Sequence, residues 1–277
     1  MVTVEQLLRQ AVQMGATDVL LVAGVKPKAK VKGKFIELDY PELSGEETSR
    51  IIPKMMSNDC QETYRKNKSA DFMLSVKTIG QFRVHIYERD GYPACCIRAI
   101  LPLPELENDL KELCRQEQGL IVVAGKPGSG KSTTLAGMVQ TISQNRTVHI
   151  VTLEQPIERE FDNGLGIVSQ REIGRDTDSY QSALQDILHE SADVVVFGEL
   201  NSTEAVQTAV KAAQMGYLVL ASINSVDADM TVRMLADELE QPEEQAFKIV
   251  SKVLKAVVCQ SFDYEQMKSV VKVKTEI

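Results

Sequence analysis

A chain of 277 residues exceeds the usual length of one domain and points to two. Hydrophobic residues make up 43% and charged residues 25%, ordinary globular usage that excludes a disordered tail, a collagen-like fibre and a disulfide-stapled mini-protein. Net charge is −8 from 31 basic and 39 acidic residues, a poor balance for bulk binding of nucleic acid, so no direct nucleic-acid partner is expected.

No apolar run reaches the roughly 18 residues that would span a bilayer. The opening MVTVEQLLRQ lacks a basic stretch followed by an apolar one, so a cytoplasmic protein is expected. Cys60, Cys95, Cys96, Cys114 and Cys259 are odd in number and show no C-x-x-C spacing, which reads as thiols in a reducing compartment.

In chain order, Val4, Leu7, Leu8, Ala11 and Val12 predict a helix over 3–14 ending at Gly15. Apolar stretches 19–25 and 31–38 read as strands separated by a Lys-Pro turn. Lys26, Lys28, Lys30, Lys32 and Lys34 alternate like the wet face of a strand. A second helix is expected over 46–58, with Ser44 as N-cap and Glu47 three residues on. Segments 71–77, 80–88 and 94–100 are rich in β-branched and aromatic residues and read as further strands. Residues 1–101 thus form a small α+β domain without a catalytic constellation.

The stretch LPLPELENDL at 101–110 carries two prolines and a run of acids, and 102–115 reads as a linker. From 116 to 277 the pattern changes. Apolar strands at 120–125, 148–153, 194–197 and 217–223 alternate with helices, which argues for a parallel sheet covered on both faces. Leu135, Met138, Val139 and Ile142 form one helical stripe; Ala246, Ile249, Val250, Val253, Leu254 and Val257 form another.

The sharpest chemical signal is G-K-P-G-S-G-K-S at 125–132, a full match to G-x-x-x-x-G-K-[ST] between a strand and a helix. Glycines let consecutive N–H groups point inward at phosphate oxygens, and the helix N-terminus adds its positive dipole end. The expected phosphate-binding set is Gly125, Pro127, Gly128, Ser129, Gly130, Lys131, Ser132 and Thr133. Lys131 would neutralise the β- and γ-phosphates of ATP, and the Ser132 hydroxyl would ligate Mg²⁺. The strand Val194–Phe197 runs into Gly198 and Glu199, an acid placed to organise Mg²⁺ through water. Glu154, in Thr-Leu-Glu-Gln-Pro-Ile-Glu at 152–158, is either the acid that orients an attacking water or a solvated loop acid.

Taken together these residues resemble the type II/IV secretion ATPases, in their PilT-like branch of type IV pilus motors. GKPGSGKSTTLAGM looks like the family's phosphate loop, TLEQPIE like its acidic T-x-E-D-P-x-E box, and VVVFGEL like its Walker B strand. SQREIGRDT resembles the segment after the acidic box, AAQMGYLVLASINS resembles A-x-x-T-G-H-L-V-x-x-T-x-H-T, and QFRVHIY the strand carrying a nucleotide-sensing arginine. The resemblance implies an α/β fold: a RecA-like P-loop NTPase domain with a predominantly parallel sheet, preceded by the α+β domain in PAS-like form. It further implies Glu154 and Glu199 as catalytic acids, Ser132 and Glu199 at Mg²⁺, and Arg83 and Arg98 as arginines that reach the nucleotide. A hexameric ring at the cytoplasmic face of the inner membrane, acting on a platform protein in pilus retraction, follows from the same likeness.

Several positions depart from the family pattern. Gln155 replaces the acidic-box aspartate, Asn224 replaces a histidine, Gln185 and His189 replace arginines, and Asn201-Ser202 replaces an Arg-Asp pair. Beside the resembling family, the C-terminal helical region is expected to be largely absent. This loss of charge supports an alternative: a catalytically weak regulatory or scaffold paralogue, in a mixed ring within a pilus, DNA-uptake or type II secretion machine.

Overall fold

The computed structural model describes residues 3–100, 102–263 and 268–275. Contacts divide the chain into two units, one of Met1–Pro102 with Glu158–Glu160 and one of Leu103–Ile157 with Phe161–Ile277.

The first unit contains α1 (Val4–Gln13), β1 (Ala16–Leu21), β2 (Lys28–Val31), β3 (Lys34–Glu37), α2 (Gly45–Ile51), α3 (Asn58–Asn67), β4 (Ser69–Val76), β5 (Gly80–Arg89) and β6 (Tyr92–Ile100). Its strands form one antiparallel sheet in the order β3-β2-β1-β6-β5-β4. Along β5, Phe82, Val84 and Ile86 are buried while Arg83 and His85 are exposed, the two-residue alternation of a half-buried strand. The buried set packs with Leu7, Leu8 and Ala11 of α1 and with Ile51 and Ile52 at the end of α2.

Expectations change here, and one helix goes unforeseen. The stretch 31–38 is not one strand but crosses a hairpin, because Lys32 and Gly33 both take positive φ (49° and 79°), the backbone of a two-residue turn. The helix over 46–58 is shorter. Ser44 and Glu47 do form the capping box of α2, but Pro53 opens a separate 3₁₀ turn, Pro53–Met55. A further helix, α3, follows with no buried residue, so no apolar stripe announces it. The alternating lysines do not line one strand face: Lys28 and Lys30 lie on β2, Lys32 in the turn and Lys34 on β3, with Lys26 and Lys28 facing Glu37 at 3.8 and 4.0 Å and Lys30 over the Phe35 ring.

The second unit contains α4 (Asn108–Leu113), β7 (Gly119–Gly125), α5 (Lys131–Asn145), β8 (His149–Glu154), β9 (Ile167–Glu172), α6 (Tyr180–Ile187), β10 (Val194–Phe197), α7 (Thr203–Gln214), β11 (Leu218–Ile223), α8 (Ala228–Asp237), α9 (Glu243–Val253), β12 (Leu254–Asp263) and β13 (Lys268–Lys274). Seven strands run in the order β13-β12-β7-β11-β10-β8-β9, and every pairing is parallel except β12–β13. Alternate residues of β7 feed two cores: Leu120, Val122 and Ala124 face α6 to α9, while Ile121 and Val123 face α4 and α5. Each of these buried Leu, Val and Ile side chains contributes about 1.5–3 kcal/mol relative to exposure.

The stretch that reads as a linker contains α4, and Leu106, Leu110, Leu113 and Cys114 lie in the core against α5. Gly137 permits that approach, since a Cβ there would sit 2.8 Å from Leu106 Cδ2. The apolar series that reads as one helix from Ala246 to Val257 also divides, because α9 stops at Val253 and Leu254 and Val257 belong to β12. Among the described residues no helix is long and apolar enough to cross a membrane.

Candidate functional site

The carboxyl ends of four neighbouring parallel strands lie side by side. The register sets Ala124 against Ile223, Ala221 against Phe197, and Phe197 against Leu153. The next residues are therefore brought to one edge of the sheet: the phosphate loop after β7, Asn224 after β11, Gly198-Glu199 after β10, and Glu154 at the end of β8. Ligands of open parallel sheets sit at this carboxyl edge.

The loop needs its glycines. Gly128 and Gly130 have φ of +79° and +95°, a region that side chains rarely adopt. A Cβ on Gly125 would collide with Gln260 O and Ser129 Oγ, so only glycine lets β7 turn there. Ser129 N–H donates to Lys126 O at 3.1 Å and closes the turn. α5 then begins at Lys131 with Gly130 as N-cap and no side-chain cap, which leaves its first-turn amides without side-chain acceptors. Pro127 is exposed on the loop, and Ser132 and Thr133 are exposed on the first turn of α5.

Lys131 is only 8% exposed, yet its ammonium has two acceptors. Nζ donates to Lys126 O at 3.2 Å and to Asn224 Oδ1 at 2.8 Å. Asn224 Nδ2 in turn donates to Glu199 Oε1 at 2.6 Å. Burial pulls the Lys131 amine below the ordinary lysine value, and the nearby Glu199 carboxylate acts against that fall. Glu199 is placed by Ser222, whose hydroxyl donates to Gly198 O at 2.6 Å and whose carbonyl accepts from Leu200 N–H at 2.7 Å.

Glu154 lies beside Gly198, where an added Cβ would stand 3.5 Å from Glu154 Cγ. Its Oε1 accepts from Thr152 Oγ1 at 2.6 Å and from Gln170 Nε2 at 3.0 Å. Gln155 follows, exposed, with a cis bond to Pro156. The Asn201-Ser202 departure has a local use, since Ser202 Oγ accepts from Ala205 N–H and caps α7.

Arg83 and Arg98 belong to the first unit, where they are cross-strand partners on β5 and β6. Arg98 Nε donates to Asp18 Oδ1 at 2.8 Å, and Arg83 is exposed. Thr152, Gln170 and Ser222 escape sequence reasoning. Thr152 could have been found, because residues two apart on a strand share a face with Glu154; Gln170 needs the β8–β9 register that sets it opposite Thr152.

Ser132 Oγ and the Glu199 carboxylate are hard oxygen donors of the kind Mg²⁺ takes. Among the described residues no group of three or more His, Cys, Asp or Glu could hold a metal alone. That donor set fits a cation bound largely by phosphate oxygens and water rather than by a protein cage.

A mostly parallel sheet with a glycine-rich phosphate loop after a central strand and acids on neighbouring strand ends defines a P-loop nucleotide-binding protein. The chain belongs to the Type II/IV secretion system protein family, whose model matches residues 97–268. It is 34% identical over 266 residues to the type IV pilus ATPase PilU of Pseudomonas aeruginosa, covering 92% of this chain and 69% of that protein. It is 29% identical over 265 residues to the type IV pilus retraction ATPase PilT of the same organism, covering 93% and 77%. Among solved structures, the pilus retraction motor PilT with bound ADP superposes with a TM-score of 0.84 at 33% identity, over 99% of this chain and 82% of that one. The ATPase DotB of Legionella pneumophila shares the fold, with a TM-score of 0.75 at 20% identity.

Proposed function

We propose that this chain is a pilus-motor ATPase that binds Mg-ATP and couples its hydrolysis to type IV pilus retraction. The observation that carries the reading is the carboxyl edge of the sheet, where the phosphate loop, the Lys131–Asn224–Glu199 bridge and Glu154 stand on four neighbouring strand ends. Likeness to PilU and PilT supports the pilus machine over other members of the family.

In this reading the loop amides and Lys131 hold the β- and γ-phosphates, and Lys131 exchanges Asn224 Oδ1 for a phosphate oxygen. Ser132 and Glu199 would hold Mg²⁺, which when bound would supply positive charge against the phosphate oxygens. Glu154 orients the attacking water and accepts its hydrogen bond. Arg83 is the better candidate of the two arginines for reaching nucleotide, because Arg98 is engaged by Asp18. The working unit comprises a PAS-like domain over 1–101 and a RecA-like domain over 116–277, assembled as a hexameric ring. The ring acts on a platform protein at the inner face of the membrane.

A second reading is favoured by one observation, the amide of Asn224 seated between Lys131 and Glu199 where the family pattern has histidine. It makes the chain a slow or silent subunit in a mixed ring with an active paralogue.

Thermal unfolding with and without Mg-ATP, with particle mass read in the same buffer, tests nucleotide binding and assembly. ATP at 100 times Kd stabilises by about 2.7 kcal/mol, a readily measured rise in Tm. Absence of any nucleotide-dependent shift overturns both readings, and a monomer at all concentrations overturns the ring.

A further inference from the structure

We propose that Gln170, with Thr152, is a positioning residue that orients Glu154 and ties it to the backbone at Phe161. The inference rests on the reading of Glu154 as the water-orienting acid.

Two donors converge on one oxygen. Thr152, buried on β8, donates to Glu154 Oε1 at 2.6 Å, and Gln170, its register partner on β9, donates to the same atom at 3.0 Å. The other end of the Gln170 amide is also engaged, since Oε1 accepts from Phe161 N–H at 2.9 Å. Chemistry dictates that orientation, because a carboxylate can only accept and an amide N–H can only donate. One side chain therefore makes the carboxylate's position depend on where the backbone of residue 161 stands.

The charged groups on the flanking strands are already engaged. Glu172 accepts from Ile157 N–H and pairs with Arg175, Arg171 pairs with Asp186 and Glu190, and Glu199 accepts from Asn224.

The test uses the full chain with Gln170→Ala, Gln170→Glu and Thr152→Val, and Glu154→Gln as reference. Gln170→Ala is expected to lower kcat about tenfold with KM for Mg-ATP unchanged within about twofold, and to speed hydrogen exchange at the Phe161 amide about tenfold. Gln170→Glu sets a second carboxylate against Glu154, disfavours its ionised form, and moves the acid limb of the kcat profile up by about one pH unit. Thr152→Val preserves shape and lowers kcat at constant KM, so it decides the matter if the Gln170 variants do not fold. Wild-type exchange at Phe161, or a loss of kcat with an unmoved acid limb and a matching fall in Tm, overturns the proposal. If Glu154→Gln turns over like the wild type, the reading of Glu154 fails instead, and exchange at Phe161 alone decides the tie.

Discussion

Lys131 Nζ and Asn224 Oδ1 are 2.8 Å apart, so the phosphate-loop cation rests on a neutral amide rather than on a carboxylate. Through its other end the same amide holds Glu199 at 2.6 Å. Asn224 orders both charged groups without neutralising either one. An arriving phosphate has only to replace an amide oxygen, an exchange that favours the charged acceptor.

Replacing that amide by a carboxylate reverses the preference. Asn224→Asp pairs Lys131 internally, removes the donor to Glu199 and adds negative charge where phosphate must bind. Affinity for Mg-ATP is expected to fall about tenfold, or about 1.4 kcal/mol, by titration calorimetry. Unchanged affinity would show that Lys131 does not meet phosphate from this position.

Asn224 also sets the pH response, because asparagine cannot take a proton in the neutral range. Asn224→His introduces a group that titrates near pH ~6.5, and the kcat profile of the variant should gain an inflection there that the wild type lacks. Superimposable profiles would remove residue 224 from the reacting centre.

Gly125→Ala is expected to disable the loop. Its Cβ meets Gln260 O and Ser129 Oγ, so β7 and the turn must separate. Overpacking of this kind costs about 1–3 kcal/mol, and the nucleotide-dependent rise in Tm should disappear along with it. A variant with wild-type Tm and an intact ATP shift would contradict the geometry of the loop.

In the first unit, Asp18 is 8% exposed; burial alone would raise its pKa, but hydrogen bonds from Arg98 and Thr17 overcome that and leave it below the ordinary aspartate value. A carboxyl whose folded pKa is depressed stabilises above its unfolded pKa of about 3.9, and the contribution is lost as pH falls through the lower folded value. Arg98→Ala is expected to lower stability at neutral pH by about 1 kcal/mol, limited by solvent screening of the exposed guanidinium. Below about pH 4 the variant and wild type should converge in chemical denaturation. A difference that does not shrink as pH falls below about 4 would mean that Arg98 acts by packing rather than by charge.

The phosphate loop is legible in sequence because its chemistry demands particular residues at fixed spacing, and the strand ending in Glu199 because four apolar residues precede it. The bridge from Lys131 to Glu199 is not, since Asn224 lies 93 residues from Lys131 and meets it only after β7 and β11 pair. Boundaries fail where one pattern serves two structures. Val250, Val253, Leu254 and Val257 keep helical spacing, yet no glycine or proline marks the change at Leu254 from α9 to β12. The proline-rich stretch before α4 reads as solvent-exposed chain, although Leu106, Leu110 and Leu113 are spaced to bury one face.

Steady-state hydrolysis of Mg-ATP by the wild type, beside Lys131→Ala in the same buffer, tests the central claim most directly. Turnover that Lys131→Ala abolishes is the expected result, and it would establish that Gln155 and Asn224 are compatible with a working motor. Tight nucleotide binding with turnover no higher than that of Lys131→Ala would contradict it and leave the silent-subunit reading in its place.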